Sequence, residues 1–237
     1  MNNIVIGIVL REEEINDIKY KAIPNNNMKY LYNKCSYIGI MNYNNEFDPN
    51  VLELVDGIII PGGRDIYPYH FKILDFAIRN NIPVLGICMG CEIIGLYSIN
   101  KNSDEYLTKV NNHCGADIHH KNTLINGSLL YNLLGSEIDV NSRHMYANKE
   151  VGNNYKISAI AEDGTIEGIE YIDNDHFVLG VQWHPEDMDN MSSIYDYFLK
   201  EVIKRKICHD KWLIFLLYRK NTFLLLFCIR ISYLTYD

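Results

Sequence analysis

The sequence predicts an α/β protein: a doubly wound, mainly parallel sheet with helices on both faces and an added antiparallel strand region. Three observations predict it. Short β-branched apolar runs alternate with segments of helical apolar spacing in the first hundred residues, the pattern of buried parallel strands joined by crossover helices. From about Leu124 to Trp183 short strands dominate, punctuated by turn signals at Asp163-Gly164 and Asn174-Asp175. At 237 residues the chain is long enough for one large domain.

Taken in order, Ile4–Leu10 is the first buried strand, Ile38–Met41 a second and Val55–Ile60 a third, which Pro61-Gly62-Gly63 stops. Phe71–Arg79 has helical spacing. Pro83–Ile87 is another buried strand, and a helix is expected from Cys88 to Tyr97. Lys156–Ala161, Gly168–Tyr171 and Phe177–Gln182 read as strands, and Met191–Arg205 as a closing amphipathic helix. Residues 1–205 are therefore expected to form the domain, with 206–237 an apolar tail of unknown role. Within the tail, Trp212–Tyr218 and Thr222–Ile229 are almost wholly apolar, but Arg219-Lys220 interrupt them. A spanning helix needs about 20 apolar residues and is penalised by central charges, so the arithmetic weighs against a membrane anchor.

Composition excludes some classes. A net charge of −8 without a Lys/Arg-rich block does not suit a nucleic-acid surface, which needs clustered cations. Six cysteines in a chain of this length make no dense disulfide framework, and MNNIVIGIVL lacks the basic region of a signal peptide. A cytoplasmic, thiol-reduced protein is expected. Asparagine runs such as Asn25–Asn27 read as loop filler.

The chemistry-bearing residues fall in three motifs. Cys88 lies between a buried strand and a helix, flanked by Gly86 and Gly90, where a sharp turn would expose a nucleophile. The helix terminus favours its thiolate, and the N–H of Met89 would face a developing oxyanion. A small buried core cysteine is an equally weighted reading of this motif alone. Cys88-x-x-Cys91 also reads as a redox pair, so a thiol–disulfide oxidoreductase stays open. The second motif, Gln182-Trp183-His184-Pro185-Glu186, supplies a base and, two residues on, a carboxylate to orient it. The third is Pro61-Gly62-Gly63-Arg64-Asp65, whose glycines let a backbone N–H approach a ligand.

PGGRD, GICMG, VNSRH (Val140–His144), DGTIEGIE (Asp163–Glu170) and GVQWHPE (Gly180–Glu186) occur in the order seen in class I glutamine amidotransferases. From Ile4 to Arg205 the chain resembles their γ-glutamyl-γ-aminobutyrate hydrolase-like peptidase branch. The resemblance implies the flavodoxin-like fold of that class and a Cys88–His184–Glu186 triad. It also implies oxyanion amides from Gly63 and Met89, and substrate contacts from Gly62, Glu92, Ser142 and His144. The implied reaction is hydrolysis of a γ-glutamyl amide through a thioester. Two alternatives are a glutaminase subunit delivering ammonia to a synthase and a catalytically degraded binding protein. A small γ-glutamyl compound is the expected partner, and association into a homo-oligomer is left open. No metal or organic cofactor is called for, because thiolate, imidazole and amides cover every step.

The chain departs from the branch at Met89, where Arg is usual, and at Glu92, where Gln is usual. A glycine-rich stretch after the nucleophile helix is replaced by Lys101–Asp104, and Met145-Tyr146 follows VNSRH where His-Gln is common. His120, eight residues before Ser128, matches a histidine of the branch and receives no catalytic role. His113-Cys114 with His119-His120 fits no zinc template well and reads as a reduced loop. Arg143, beside His144, has two readings, a contact to a substrate carboxylate and, more commonly for an exposed Arg, a solvated side chain.

Overall fold

A computed structural model describes residues 4–172 and 176–209, apart from the Ala116 side chain. Its strands in chain order are β1 Val5–Val9, β2 Arg11–Ile15, β3 Ile18–Ala22, β4 Ser36–Ile40, β5 Asn42–Tyr43, β6 Glu46–Phe47, β7 Gly57–Ile60 and β8 Val84–Ile87. They continue as β9 Thr108–Lys109, β10 Cys114–Leu124, β11 Glu137–Arg143, β12 Tyr146–Ala147, β13 Tyr155–Ala161, β14 Ile166–Tyr171 and β15 Val178–Val181. The α-helices are α1 Asn50–Glu53, α2 Pro68–Arg79, α3 Met89–Ser98, α4 Leu129–Leu134 and α5, residues 192–209.

Nine strands form one sheet in the order β11-β10-β13-β14-β15-β8-β7-β1-β4. The pairs from β4 to β15 are parallel, and those from β15 through β14, β13 and β10 to β11 are antiparallel. The predicted antiparallel region is thus a continuation of the parallel sheet. Four of its five parallel strands, β1, β7, β8 and β15, are short apolar runs buried on both faces, whereas the edge strand β4 is largely exposed. Ile58 and Ile60 of β7 pack with Ile73 and Leu74 of α2 and Ile93 and Ile94 of α3. Ile59 faces the opposite way, into the core that α5 closes with Ile194, Phe198 and Val202.

Most element boundaries move by a few residues, within the fraying expected of such ends. Three differences are substantive. The acidic run after β1, not expected as a strand, forms the β2–β3 hairpin, turned by Asn16 and Asp17 at φ 52° and 60°. The strand-rich region begins at Cys114 rather than Leu124, so the stretch with the composition of a His/Cys loop is an eleven-residue strand. Helix α5 crosses the expected domain boundary at 205, and Lys206 pairs with Asp56 at 2.8 Å. The remaining tail, 210–237, and the Asn174-Asp175 turn lie outside the described residues. Many loop asparagines prove to have a backbone role. Asn33, Asn44, Asn45, Asn81, Asn100, Asn112 and Asn190 all adopt positive φ, a conformation Asn tolerates better than most residues.

Candidate active site

Three adjacent parallel strands, β7, β8 and β15, end side by side, and each hands the chain to one predicted motif. Pro61-Gly62-Gly63 follows β7, Cys88 follows β8, and Gln182 to Glu186 follows β15. In an open α/β sheet the crevice beyond the strands' carboxyl ends is where ligands bind.

Cys88 is held at φ 51°, ψ −106°, a strained conformation for a residue with a side chain. Its N–H donates to Val181 O at 2.8 Å, and its carbonyl accepts from the N–H groups of Cys91 and Glu92 as α3 begins. The sharp turn requires Gly90, because a Cβ there would lie 2.1 Å from Ile60 O. On the neighbouring strand end, His184 Nδ1 and Glu186 Oε1 are 2.9 Å apart, and Glu186 is buried. Gly62 separates base from nucleophile: a Cβ there would stand 2.6 Å from His184 Cε1 and 3.4 Å from Cys88 Cβ. The structure therefore brings Cys88, His184, Glu186 and Gly62 into one site. Gly63 packs on Met89, with a built Cβ only 2.8 Å from its Sδ.

Glu92 is buried one helical turn beyond Cys88, and Gln182 bridges the two. Gln182 Nε2 donates to Glu92 Oε1 at 3.2 Å and lies 3.9 Å from Cys88 Sγ. Burial lifts the Glu92 carboxyl to about 7, with the Gln182 hydrogen bond opposing it. Burial first, then the Glu92 charge, raises the Cys88 thiol well above its usual range, while the Met89 N–H acts in the other direction. Cys91 is likewise buried and raised by burial, and it packs on Gly180. A redox dithiol relies on an accessible, low-pKa sulfur, so this geometry gives the oxidoreductase alternative no support.

Ser142 and His144 point elsewhere, into a histidine cluster. Ser142 Oγ donates to His113 O at 2.6 Å, and His144 Nε2 lies 3.2 Å from His113 Nδ1. The residue of VNSRH that reaches the site is Asn141, which bonds both backbone groups of His184. Gln182 and Asn141 sit inside motifs already singled out, and the presence of an amide side chain there is a usable signal; both prove to be buried. Arg11 has no such signal: it follows β1, and its Nη1 donates to Gly62 O at 3.4 Å. Holding that carbonyl turns the N–H of Gly63 the opposite way across a planar peptide. Arg143 is engaged with Asp187 rather than free in solvent.

A strained cysteine at a strand–helix turn beside a His–carboxylate pair has the form of a thiol-dependent acyl-transfer site. The peptidase C26 family model matches residues 69–186. A Schizosaccharomyces pombe protein described as "Putative glutamine amidotransferase" is 35% identical over 195 residues, covering 65% of this chain and 71% of that one. The γ-glutamyl-γ-aminobutyrate hydrolase PuuD of Escherichia coli is 28% identical, covering 78% and 87% respectively. The crystal structure of a Thermotoga maritima glutamine amidotransferase superposes with a TM-score of 0.58 at 13% identity, covering 87% of each chain. At that identity it speaks for the fold alone. The chain belongs to the class I glutamine amidotransferase superfamily, and the match to the peptidase C26 model falls within that assignment. The superfamily's members are cysteine-dependent hydrolases and amidotransferases.

Proposed function

We propose that the protein hydrolyses the γ-glutamyl amide bond of a small γ-glutamyl compound, with Cys88 as nucleophile, His184 as general base and Glu186 as its orienting carboxylate. The observation that carries this reading is the meeting of the Cys88 turn, the Gly62-Gly63 turn and the His184–Glu186 pair at the ends of three adjacent strands. The similarity to PuuD supports the substrate class.

The Cys88 proton passes to His184 as sulfur attacks the γ-carbonyl, so an otherwise costly buried thiolate is formed only alongside the imidazolium it needs. Amides of Gly63 and Met89 would receive the oxyanion. His184 then protonates the departing amine, and a thioester remains on Cys88. Water, deprotonated by His184, adds to the thioester and releases glutamate and the thiol. Glu92, near its titration midpoint at pH 7, would lie at the substrate's amino-acid end.

A second reading, a glutaminase that feeds ammonia to a synthase, draws support from the glutamine-hydrolyzing component of the Picrophilus torridus GMP synthase. That protein is 28% identical, with 82% of it covered. One experiment separates the two. The purified chain is assayed alone against glutamine and a panel of γ-glutamyl amides, with acid-quenched mass spectrometry of the Cys88 peptide. Partner-free turnover and an acyl adduct of about 129 Da, one glutamyl unit, on Cys88 are expected. Labelled Cys88 without turnover of any γ-glutamyl amine would overturn the stand-alone hydrolase.

A further inference from the structure

Outside the triad, one cluster of side chains has no role in the reaction. His113 just before β10, His120 on β10, His144 just beyond β11 and Glu167 on β14 converge on one point. His113 and His144 are each 4% exposed and Glu167 is fully buried.

The hydrogen bonds of the outer ring nitrogens fix what the inner ones can be. His113 Nε2 lies 3.0 Å from Asp163 Oδ2, an acceptor, so that nitrogen carries the proton. His144 Nδ1 lies 2.9 Å from Tyr146 O, also an acceptor, so it too is protonated. In the neutral rings, His113 Nδ1 and His144 Nε2 therefore both present lone pairs. They face one another at 3.2 Å, and Glu167 Oε1 stands 3.4 Å from the first and 3.2 Å from the second. That carboxylate oxygen has no hydrogen-bond partner among the described residues. Three electron-rich atoms thus meet at a buried point with no donor inside the triangle, and outside it His120 Nε2 stands 3.4 Å from the Glu167 oxygen. This arrangement is repulsive unless a positive charge sits among them.

The spacing indicates what that charge is. Ligands bonded at about 2.0–2.1 Å to a tetrahedral ion stand about 3.3 Å apart. The triangle has edges of 3.2, 3.2 and 3.4 Å. Imidazole nitrogens favour zinc-like ions over magnesium or calcium. The outer bonds to a carboxylate and a backbone carbonyl are those that orient metal-ligating histidines. We propose that His113, His144 and Glu167 bind one divalent transition-metal ion of the zinc type. His120, whose Nε2 is 3.4 Å from the same Glu167 oxygen, stands beside the triangle as a ready fourth ligand. Asp163, half-exposed, marks the side from which the ion enters.

The ion would tie three segments of the antiparallel region together behind the strand ends. The Gln182 N–H bonds Glu167 O at 2.8 Å, and Asn141, three residues before His144, grips His184. Such a metal is a positioning element and takes no part in acyl transfer. One of its ligands, His113, and the neighbouring His120 come from the stretch with the composition of a loop. The other members of that set, Cys114 and His119, are exposed and outside the group in the first case and absent from it in the second.

The test loads chelator-treated full-length protein with Co2+ or Zn2+ and measures retained metal after dialysis. One equivalent is expected, with the visible absorption of four-coordinate Co2+ and no intense near-ultraviolet thiolate band. His144→Ala and Glu167→Gln should lose it, whereas Cys88→Ser and His184→Ala should keep it. If His144→Ala does not fold, proton NMR of the Co2+-loaded wild type replaces it. Two strongly shifted, exchangeable imidazole N–H signals are expected there, from His113 and His144. Absence of stoichiometric uptake by folded wild type would overturn the proposal, since a proton on His113 would then fill the triangle. Uptake that survives His144→Ala, or that is lost in Cys88→Ser, would also overturn it.

Discussion

Asn141 grips the backbone of His184 from both sides: its Oδ1 accepts the His184 N–H at 2.8 Å and its Nδ2 donates to the His184 carbonyl at 2.9 Å. An edge strand of the antiparallel region thereby fixes the residue proposed as general base. Asn141→Ala removes both bonds and leaves two backbone groups to find other partners. We expect kcat to fall about 10- to 100-fold with KM nearly unchanged, because a misplaced base affects the chemical step more than binding. Stability should drop by about 1–3 kcal/mol. Steady-state kinetics and urea melts check both, and an unchanged kcat would remove Asn141 from the site.

Gly62 is the glycine whose replacement would bear directly on both members of the proposed nucleophile–base pair. Its Cβ in Gly62→Ala would press on His184 Cε1 at 2.6 Å and on Cys88 Cβ at 3.4 Å, both active-site atoms. Activity should fall by roughly 100-fold or more, since displacements near 1 Å can cost that much. The variant should still melt cooperatively, which circular dichroism would show alongside the assay.

Glu92 gives a pH dependence of stability. Its carboxyl is raised from 4.5 to about 7 in the folded chain, so the native state binds more protons than the unfolded state between those values. Its contribution is fully present below pH 4.5 and is lost as pH rises through 7. Glu92→Gln, neutral at every pH, should therefore be more stable than wild type at pH 8, by about 2–3 kcal/mol. The gap should close below pH 5. Denaturant melts at pH 5, 6.5 and 8 measure this, and a gap independent of pH would contradict the buried carboxylate. The same variant should alter preference among γ-glutamyl compounds by roughly ten-fold, the equivalent of 1.4 kcal/mol.

Cysteine labelling should depend on the shape of the reagent. Cys88 is buried with a raised thiol, whereas Cys114 and Cys208 are exposed. Iodoacetamide is expected to label the exposed pair first. A glutamine-shaped chloroketone should reverse the order, because its carbonyl places Cys88 against His184 and the oxyanion amides. Peptide mapping after each treatment reads the order directly. The same order with both reagents would deny Cys88 a substrate pocket.

Local pattern is enough to read the parallel half of the sheet. Buried parallel strands are short continuous apolar runs, and β1, β7, β8 and β15 all stand out as such. The β2–β3 hairpin and β10 escape that reading because their strands carry charged or polar residues on exposed faces, which resemble loop composition. Family resemblance points Ser142 and His144 at substrate, yet their motif serves the site through its neighbour Asn141. Adjacent strand residues point to opposite faces, and spacing alone does not say which face looks at the nucleophile.

Local sequence alone marks the residues of the proposed chemistry. Cys88 between a strand and a helix, Gly62-Gly63 after a strand, and His184 two residues before Glu186 are local arrangements, each complete within a few residues. Tertiary structure decided which distant groups surround them. Pairing of His120 with Val140 across β10 and β11, and of Gly168 with Val181 across β14 and β15, brings His113, His144 and Glu167 together behind the site. Those residues lie up to 54 positions apart along the chain. Only the strand register, chosen by burial of one face of each strand, makes them neighbours.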